Sequence, residues 1–472
     1  MATTQTGYRN RMQVAWSNLQ ANRGLRPVDL INGYRMVHPL RALAGPGEPF
    51  DVATLAMELF TRLQIRYQPH HPVPAPIRPE TDLPRTTRGE RRVGLFIDAP
   101  DHLSGVAMTL NEWRTEAARA GHTLVVHTCA HRSPEPGLVA FPPMGTIGLE
   151  VYDGLRLSIP RFDDVLDYIR RMRFDAIHVS TPGPMGLLGL LAARQRGLPV
   201  YGTYHTDFPR YARTLTGDPA FESFAWKFMR WFYGQLDRVA APTESVRRDL
   251  ADHGFEPARI EVVGRGVDTT RFLPGLRDPA WRTTWGSGKS LVLLYVGRLS
   301  REKNLDVLLN AFLRLIPRRP DLGLVFVGDG PHRAALERLA TGAPVRFTGS
   351  CTGDALARAY ASSDLFVFPS TTDTFGRVVL EAQASGLPVV VSDAGGPKHA
   401  MRDGITGVVV PDLREDNLAA ALDAVTNEPA RMNRLARAAR RYATTQSLEA
   451  SFNAFWNLHR AAVHQPAGER TP

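Results

Sequence analysis

From Arg92 onward, short apolar runs alternate with stretches of helical periodicity. VGLFID (93–98), TLVVHT (123–128), AIHVS (176–180), VYGTY (200–204), RVAAP (238–242) and IEVVG (260–264) read as strands. Helical patterns lie between them at 106–120, 162–173, 184–196, 219–236 and 244–253. GVDTTRFLP (266–274) breaks the alternation like a linker, and a second series follows. Its strands are LVLLYVG (291–297), GLVFVG (323–328), VRFTG (345–349), LFVFPS (365–370), PVVVSD (388–393) and GVVVP (407–411). Helices are predicted at 304–316, 332–341, 353–361 and 376–386, with two more after residue 411. Strands that are apolar throughout and separated by helices belong to a parallel sheet covered on both faces. The pattern therefore predicts an α/β chain of two doubly wound, Rossmann-like domains, 92–272 and 273–445, facing across a cleft. Ligands are expected at the carboxyl ends of the strands. A final amphipathic helix at 446–463, carrying Phe452, Phe455 and Trp456, is expected to pack back toward the first domain.

Residues 1–90 read as an N-terminal helical extension. Phe50 to Tyr67 is amphipathic at helical spacing, and six prolines between Pro69 and Pro84 predict a semi-rigid linker over 69–91.

Composition narrows the function. A chain of 472 residues that is 43% hydrophobic is large enough for several cores. Its longest apolar run, Met185 to Ala193, is too short to cross a bilayer, which takes about 20 residues. The start, MATTQTGYRNRMQ, has no apolar h-region, and Cys129 and Cys351 are the only cysteines, so a reduced cytoplasmic setting is expected. The net charge of +10 invites a nucleic-acid reading, yet only four of the 57 basic residues are lysine and the arginines are scattered. No nucleic acid is expected as a partner. Attraction to an anionic membrane surface, as a peripheral protein on its inner face, is the better use of the charge. FESFAWKFMRWFYGQLDR (221–238) fits that use, because aromatic and basic residues share one helix; packing into the first domain's core fits it equally.

Two segments carry chemistry. In GRLSREKN (297–304), a strand ends in Gly297 and is followed by Arg298 and Lys303 before a helix begins. That is an anion-binding arrangement, with a forked guanidinium and a compact ammonium. In DTFGRVVLE (373–381), Asp373 and Gly376 open a helix whose first N–H groups would stabilise a phosphate, and Glu381 lies further along it. His205 ends a strand in GTYHTDFP, and Gly105 stands at the turn of DAPDHLSGVAMTL, which lacks the G-x-G-x-x-G of a dinucleotide site. GSGKS (286–290) resembles half a P-loop, but it precedes its strand and Thr283 stands where the first glycine is needed, so it is not a nucleotide site.

Taken in order, GVDTTRFLP, GRLSREKN, VFVGDGP, FTG, SSDLFVFPSTTDTFGRVVLEAQASGLPVV and GGPKH resemble the retaining, GT-B-fold glycosyltransferases of family 4 (group 1). HVSTPGPMGLLGLLAARQRGLPVYGTYHTDFP resembles the bacterial mannosyl- and sulfoquinovosyl-lipid transferases of that family. The resemblance spans roughly 92–463 and implies transfer of a hexose, of mannose or glucose type, from a GDP- or UDP-linked donor to a lipid, lipid-linked or glycan acceptor. It implies that Arg298 and Lys303 hold the donor diphosphate, that Glu381 holds the ribose and that Asp373 contacts the transferred sugar. Phe375 and Gly376 would present N–H groups, His205 would lie against the sugar, and Gly105 would approach the diphosphate and acceptor. Gly297 and Arg377 complete the donor-binding set. The first acid of the family's Glu-x7-Glu motif is here Asp373, one methylene shorter. No cofactor or metal is expected, because Arg and Lys can take the metal's electrostatic role. The alternatives are a GT-B phosphorylase or sugar-phosphate synthase, and a non-catalytic nucleotide-sugar-binding subunit.

Overall fold

The computed structural model describes residues 66–69, 91–98, 105–130, 137–148, 156–286 and 288–460. The described residues fall into two compact units, one within 1–102 and 122–200, the other within 103–121 and 201–472. Fourteen α-helices are found among them.

In the first unit, four parallel strands lie in the order Ala176–Val179, Arg92–Phe96, Thr123–Cys129, Leu138–Phe141. The predicted strands at 93–98, 123–128 and 176–180 are therefore present. The strand Arg92–Phe96 is tied to the helix Pro184–Arg196 through Asp98. Its carboxylate accepts the Met185 N–H at 2.7 Å and the Thr181 hydroxyl at 2.6 Å. Burial pushes the Asp98 pKa up to about 6, against the pull of these bonds. Pro184 starts that helix and Gly197, in the left-handed region at φ 62°, ends it. A second, antiparallel sheet of Arg66–Pro69, Pro143–Gly148 and Arg156–Pro160 is not legible in the hydrophobic pattern. It also corrects the predicted helix at 50–67 and the start of the proline linker: residues 66–69 are extended and paired, and the remainder of that helix lies outside the described residues.

The second unit contains three parallel strands, Val200–Thr203, Arg238–Ala241 and Ile260–Val262, and a six-stranded parallel sheet. In the larger sheet the order is Val345–Gly349, Leu322–Val327, Leu291–Val296, Leu365–Phe368, Val389–Ser392, Gly407–Val410. The chain starts in the middle, grows to one side, then crosses to the other. The order reverses between Leu291–Val296 and Leu365–Phe368, and the loops leaving those two strands form the crevice typical of doubly wound sheets. The strand Leu291–Val296 is buried from Val292 to Val296, as its unbroken apolar sequence requires.

Four predicted helices of this unit are close to expectation, at Leu305–Leu315, Arg333–Leu339, Gly353–Ala361 and Arg377–Ala384. Two others, Phe208–Thr216 and Pro279–Trp285, are not legible as helical periodicity. Each starts on an aspartate, Asp207 or Asp278, whose carboxylate accepts a helix N–H, and proline follows closely. Both are short and capped rather than periodic. The helix Leu448–Leu458 packs on the helix Gly105–Arg119, with Phe455 stacked on Trp113 at 3.9 Å between ring centroids. In GSGKS the Lys289 ammonium donates to the Pro320 carbonyl at 2.7 Å.

Candidate active site

The switch-point loops carry most of the chemistry. After the strand Leu291–Val296 the backbone turns at Gly297, φ 151°, where a Cβ would sit 2.8 Å from the Tyr295 hydroxyl. That hydroxyl donates to the Arg298 carbonyl at 3.0 Å, so the turn is held from beneath while the Arg298 side chain is exposed. A short 3-10 turn, Arg301–Lys303, then brings Lys303 inward. Asn304, at φ 56°, locks the turn to the neighbouring loop by donating to the Pro369 carbonyl and the Thr371 hydroxyl, both at 3.2 Å.

Lys303 is 8% exposed, and its ammonium donates to Asp373 Oδ2 at 2.7 Å. Burial works against the charge, but the Asp373 carboxylate outweighs it, with Tyr211 and Tyr295 adding, and pushes the Lys303 pKa up. The two residues sit 70 positions apart and come from the two loops at the sheet reversal. Asp373 is not the cap of the following helix. That position is held by Gly376, at φ 78°, where an added Cβ would meet the Pro397 ring at 2.9 Å. Gly395 and Gly396 bring a second loop against the same segment, and the Gly396 N–H donates to the Asp373 carbonyl at 2.7 Å. A Gly376→Ala variant is expected to lose about 1–3 kcal/mol, from the left-handed backbone and the Pro397 contact together. Urea unfolding of the pure variant checks this.

Arg377 is the first residue of the helix Arg377–Ala384 and joins two acids. Its two terminal nitrogens bind the Glu112 carboxylate as a fork, one of them at 2.6 Å from Oε2. Its Nε donates to Glu381 Oε1 at 2.9 Å. Glu381, 2% exposed, also accepts the Tyr360 hydroxyl at 3.0 Å on its other oxygen. Burial opposes the charge of Arg377, but its bonds to Glu112 and Glu381 outweigh that and raise its pKa. Burial raises the pKa of Glu112, with Arg377 pulling the other way. Glu381 is thus a buried, twice-bonded carboxylate and not a surface helix residue.

His205 and Arg265 form the third group. His205 is 7% exposed; its Nδ1 lies 2.7 Å from an Arg265 nitrogen, and its carbonyl accepts the Thr374 hydroxyl at 2.6 Å. That second bond places His205 against the segment that leads into Gly376. Burial, with Arg265 adding, holds the His205 pKa well below the usual histidine range. Arg265 lies over the Trp113 ring, 5.1 Å from its centroid, and Trp113 donates to Ser451 at 3.3 Å.

Of the residues singled out in the sequence, the fold therefore pairs Lys303 with Asp373 and Arg377 with Glu381, and brings His205 to the 373–376 segment. Phe375 is half-buried against the hydrophobic core. Gly105 opens the helix Gly105–Arg119, whose Glu112, two turns on, reaches Arg377. Glu112, Trp113, Arg265 and Tyr360 are not legible as site residues in the sequence. Arg265 immediately precedes GVDTTRFLP, and Glu112-Trp113 lies on an ordinary amphipathic helix; only the folded chain gives them partners. The aromatic-basic helix, Pro219–Gly234, settles on core packing: Phe221, Trp226, Trp231, Phe232 and Tyr233 are buried. Phe224 and Phe228 are half-buried, with Lys227 and Arg230 exposed on the same helix. Among the described residues no helix is long and apolar enough to cross a membrane, and no group of three or more His, Cys, Asp or Glu is placed to hold a metal.

Two family models and several known proteins match this chain. Residues 278–442 match the family Glycosyl transferases group 1, and residues 103–271 match Glycosyltransferase Family 4. A GDP-mannose-dependent alpha-mannosyltransferase of Mycolicibacterium smegmatis is 38% identical over 61% of this chain and 73% of its own length. A sulfoquinovosyl transferase of Arabidopsis thaliana is 31% identical over 71% of this chain; the match spans 65% of the plant protein, just under two thirds of its length. In three dimensions, HepE of Anabaena, solved with UDP and glucose, superposes with a TM-score of 0.63 at 16% identity, covering 79% of this chain and all of that one. That likeness is one of fold, GT-B, with two parallel-sheet, Rossmann-like domains.

Proposed function

The chain belongs to the glycosyltransferases of family 4 (group 1), and from that premise we propose that it moves a hexose from a nucleoside-diphosphate sugar to a lipid, lipid-linked or glycan acceptor, with retention at the anomeric carbon. The observation that carries the reading is the switch-point crevice, where Arg298, Lys303 and the amino end of the helix Arg377–Ala384 come from loops that leave adjacent strands. All three are sources of positive potential, and a departing nucleoside diphosphate is the species that needs them. Glu381 lies in the same helix, and each of its oxygens keeps a second lone pair, beyond its bond from Arg377 or Tyr360, for a ribose hydroxyl. A mannose- or glucose-type sugar and a GDP or UDP carrier fit the names of the relatives.

Retention has support in how the acids are engaged. Asp373 is held by Lys303, and Glu381 by Arg377 and Tyr360. A carboxylate whose charge is already shared with a cation is a poor nucleophile, so a covalent glycosyl intermediate on either is disfavoured. The departing phosphate is then the base nearest the acceptor hydroxyl, and transfer proceeds on the face it leaves. His205 remains neutral at physiological pH and takes no part as a charged acid. We propose further that no metal is required, since Arg298 and Lys303 supply charge where a divalent ion otherwise would.

A screen of GDP, UDP and ADP by thermal shift and calorimetry tests the reading. One nucleotide is expected to raise the melting temperature of the wild type by several degrees and to fail to do so in Arg298→Ala. A wild type that answers to none of the three would sink the proposal.

A further inference from the structure

Arg265 is a buried cation with no counter-ion. It is 7% exposed, and among the described residues no carboxylate lies within salt-bridge distance. Glu112, the acid that acts on it electrostatically, is already taken by both terminal nitrogens of Arg377. One Arg265 nitrogen donates to His205 Nδ1 at 2.7 Å; the other, Nη1, is buried without a partner. Burial and the nearby Arg377 push its pKa down to about 9, which still leaves it charged at neutral pH. His205 is in a matching state. Because its Nδ1 accepts from Arg265, its proton sits on Nε2, and Nε2 is also buried without a partner. Two N–H donors of this pair, one of them charged, are therefore desolvated and left unmet.

Neither is there through looseness. Trp113 backs the guanidinium and is fixed by Ser451 and Phe455. The Ser451 hydroxyl donates to the Gly264 carbonyl at 2.8 Å, and the Val267 N–H donates to the Gln446 carbonyl at 2.9 Å, so the backbone on both sides of Arg265 is pinned. Gly266 lies so close to the segment 447–448 that a Cβ would come within 2.5 Å of the Ser447 carbonyl. A rigid, unpaired, buried charge is costly in a free protein and is repaid only by a ligand that brings the opposite charge.

We propose that Arg265 and His205 form an oxyanion subsite, in which Nη1 of Arg265 donates to an anionic oxygen of the donor substrate and Nε2–H of His205, on the far edge of the imidazole, is free for a second oxygen of the same substrate. The Thr374–His205 bond sets the subsite beside the amino end of the helix Arg377–Ala384, hence next to the donor loops. The anion is a phosphoryl, sulfonate or carboxylate group. Its source is either the donor's diphosphate or an acidic substituent on the sugar the donor carries. The proposal rests on the donor reading above for its placement, and not for its chemistry.

Calorimetry separates the outcomes, with inorganic pyrophosphate, GDP, UDP and a UDP-sugar bearing a C6 carboxylate as probes, on the wild type, Arg265→Gln and Arg265→Lys. Loss of the charge-assisted contact is expected to weaken at least one probe by about tenfold or more in Arg265→Gln, with partial recovery in Arg265→Lys. Weakening of pyrophosphate and the nucleotides assigns the subsite to the diphosphate; weakening of the acidic sugar nucleotide alone assigns it to the sugar. The melting temperature of ligand-free Arg265→Gln is expected to hold or rise, because an uncompensated charge has left the interior, whereas a merely structural arginine would lower it. Equal affinities of wild type and Arg265→Gln for all four probes would overturn the subsite while leaving the donor reading intact. Should Arg265→Gln fail to fold, a wild-type affinity for every probe in Arg265→Lys overturns it equally. Pyrophosphate binding that depends on Arg265 in a protein blind to every nucleotide would uphold the subsite and refute the donor reading. A wild type that binds none of the four refutes both.

Discussion

Lys303→Met is expected to lower kcat/KM by about 10²–10³, the usual effect of removing one preorganised charge from a developing anion. The same substitution also leaves Asp373 without its 2.7 Å partner. A fully buried carboxylate stranded in this way costs about 3–5 kcal/mol; Asp373 keeps about a quarter of its side chain exposed, which puts the cost toward or below the lower end. Two losses then coincide, and the double variant Lys303→Met/Asp373→Asn parts them. Neutralising both members removes the stranded charge, so the melting temperature is expected to recover while turnover does not. Recovery of turnover in the double variant would show that Lys303 acts by restraining Asp373, and its role toward the leaving diphosphate would have to be abandoned.

Arg377→Leu is expected to cost the most stability of any single change in this region. It strands two acids at once, Glu112 and the almost fully buried Glu381, leaving Glu381 only its Tyr360 bond. Breaking a buried ion pair costs about 3–5 kcal/mol. The loss should depend on pH in a stated direction. Burial already raises the Glu112 pKa, and Arg377 opposes that rise. With the arginine gone, the Glu112 carboxyl binds its proton more tightly folded than unfolded. Such a group favours the native state below its unfolded pKa, and that favour is lost as pH rises through the folded value. The variant should accordingly melt higher near pH 5 than near pH 8, by chemical or thermal unfolding at matched ionic strength. A deficit independent of pH would mean that the packing of the arginine stem, and not its charge, sustains the network.

The class of fold is set by local pattern. Unbroken apolar runs such as LVLLYV and LFVF can be satisfied only inside a sheet covered on both faces, and helical spacing between them makes that sheet parallel. Gly297 and Gly376 were legible as the loop glycines where cations and helix N–H groups gather, because glycine is the residue that takes a positive φ at no steric cost. The antiparallel strands at 66–69, 143–148 and 156–160 were not, since short strands with mixed composition carry no clear period. The helix 219–234 shows the same limit from the other side: its sequence suits a membrane surface or a core, and only its neighbours bury Phe221, Trp226, Trp231, Phe232 and Tyr233.

What the sequence determined by itself is the order of elements, and with it the position of Arg298, Lys303, Asp373 and Glu381 at strand ends and a helix start. Those follow from interactions within a few residues of each other along the chain. What the tertiary structure alone decided is which charge meets which: Lys303 with Asp373, Arg377 with both Glu112 and Glu381, and Arg265 with His205 and, among the described residues, no acid. Those partners lie up to 265 positions apart, and their pairing is fixed by burial. In water each ion would be indifferent to its neighbour, whereas in the interior an unmatched charge is expensive, so the fold matches them and leaves one unmatched where a ligand can serve.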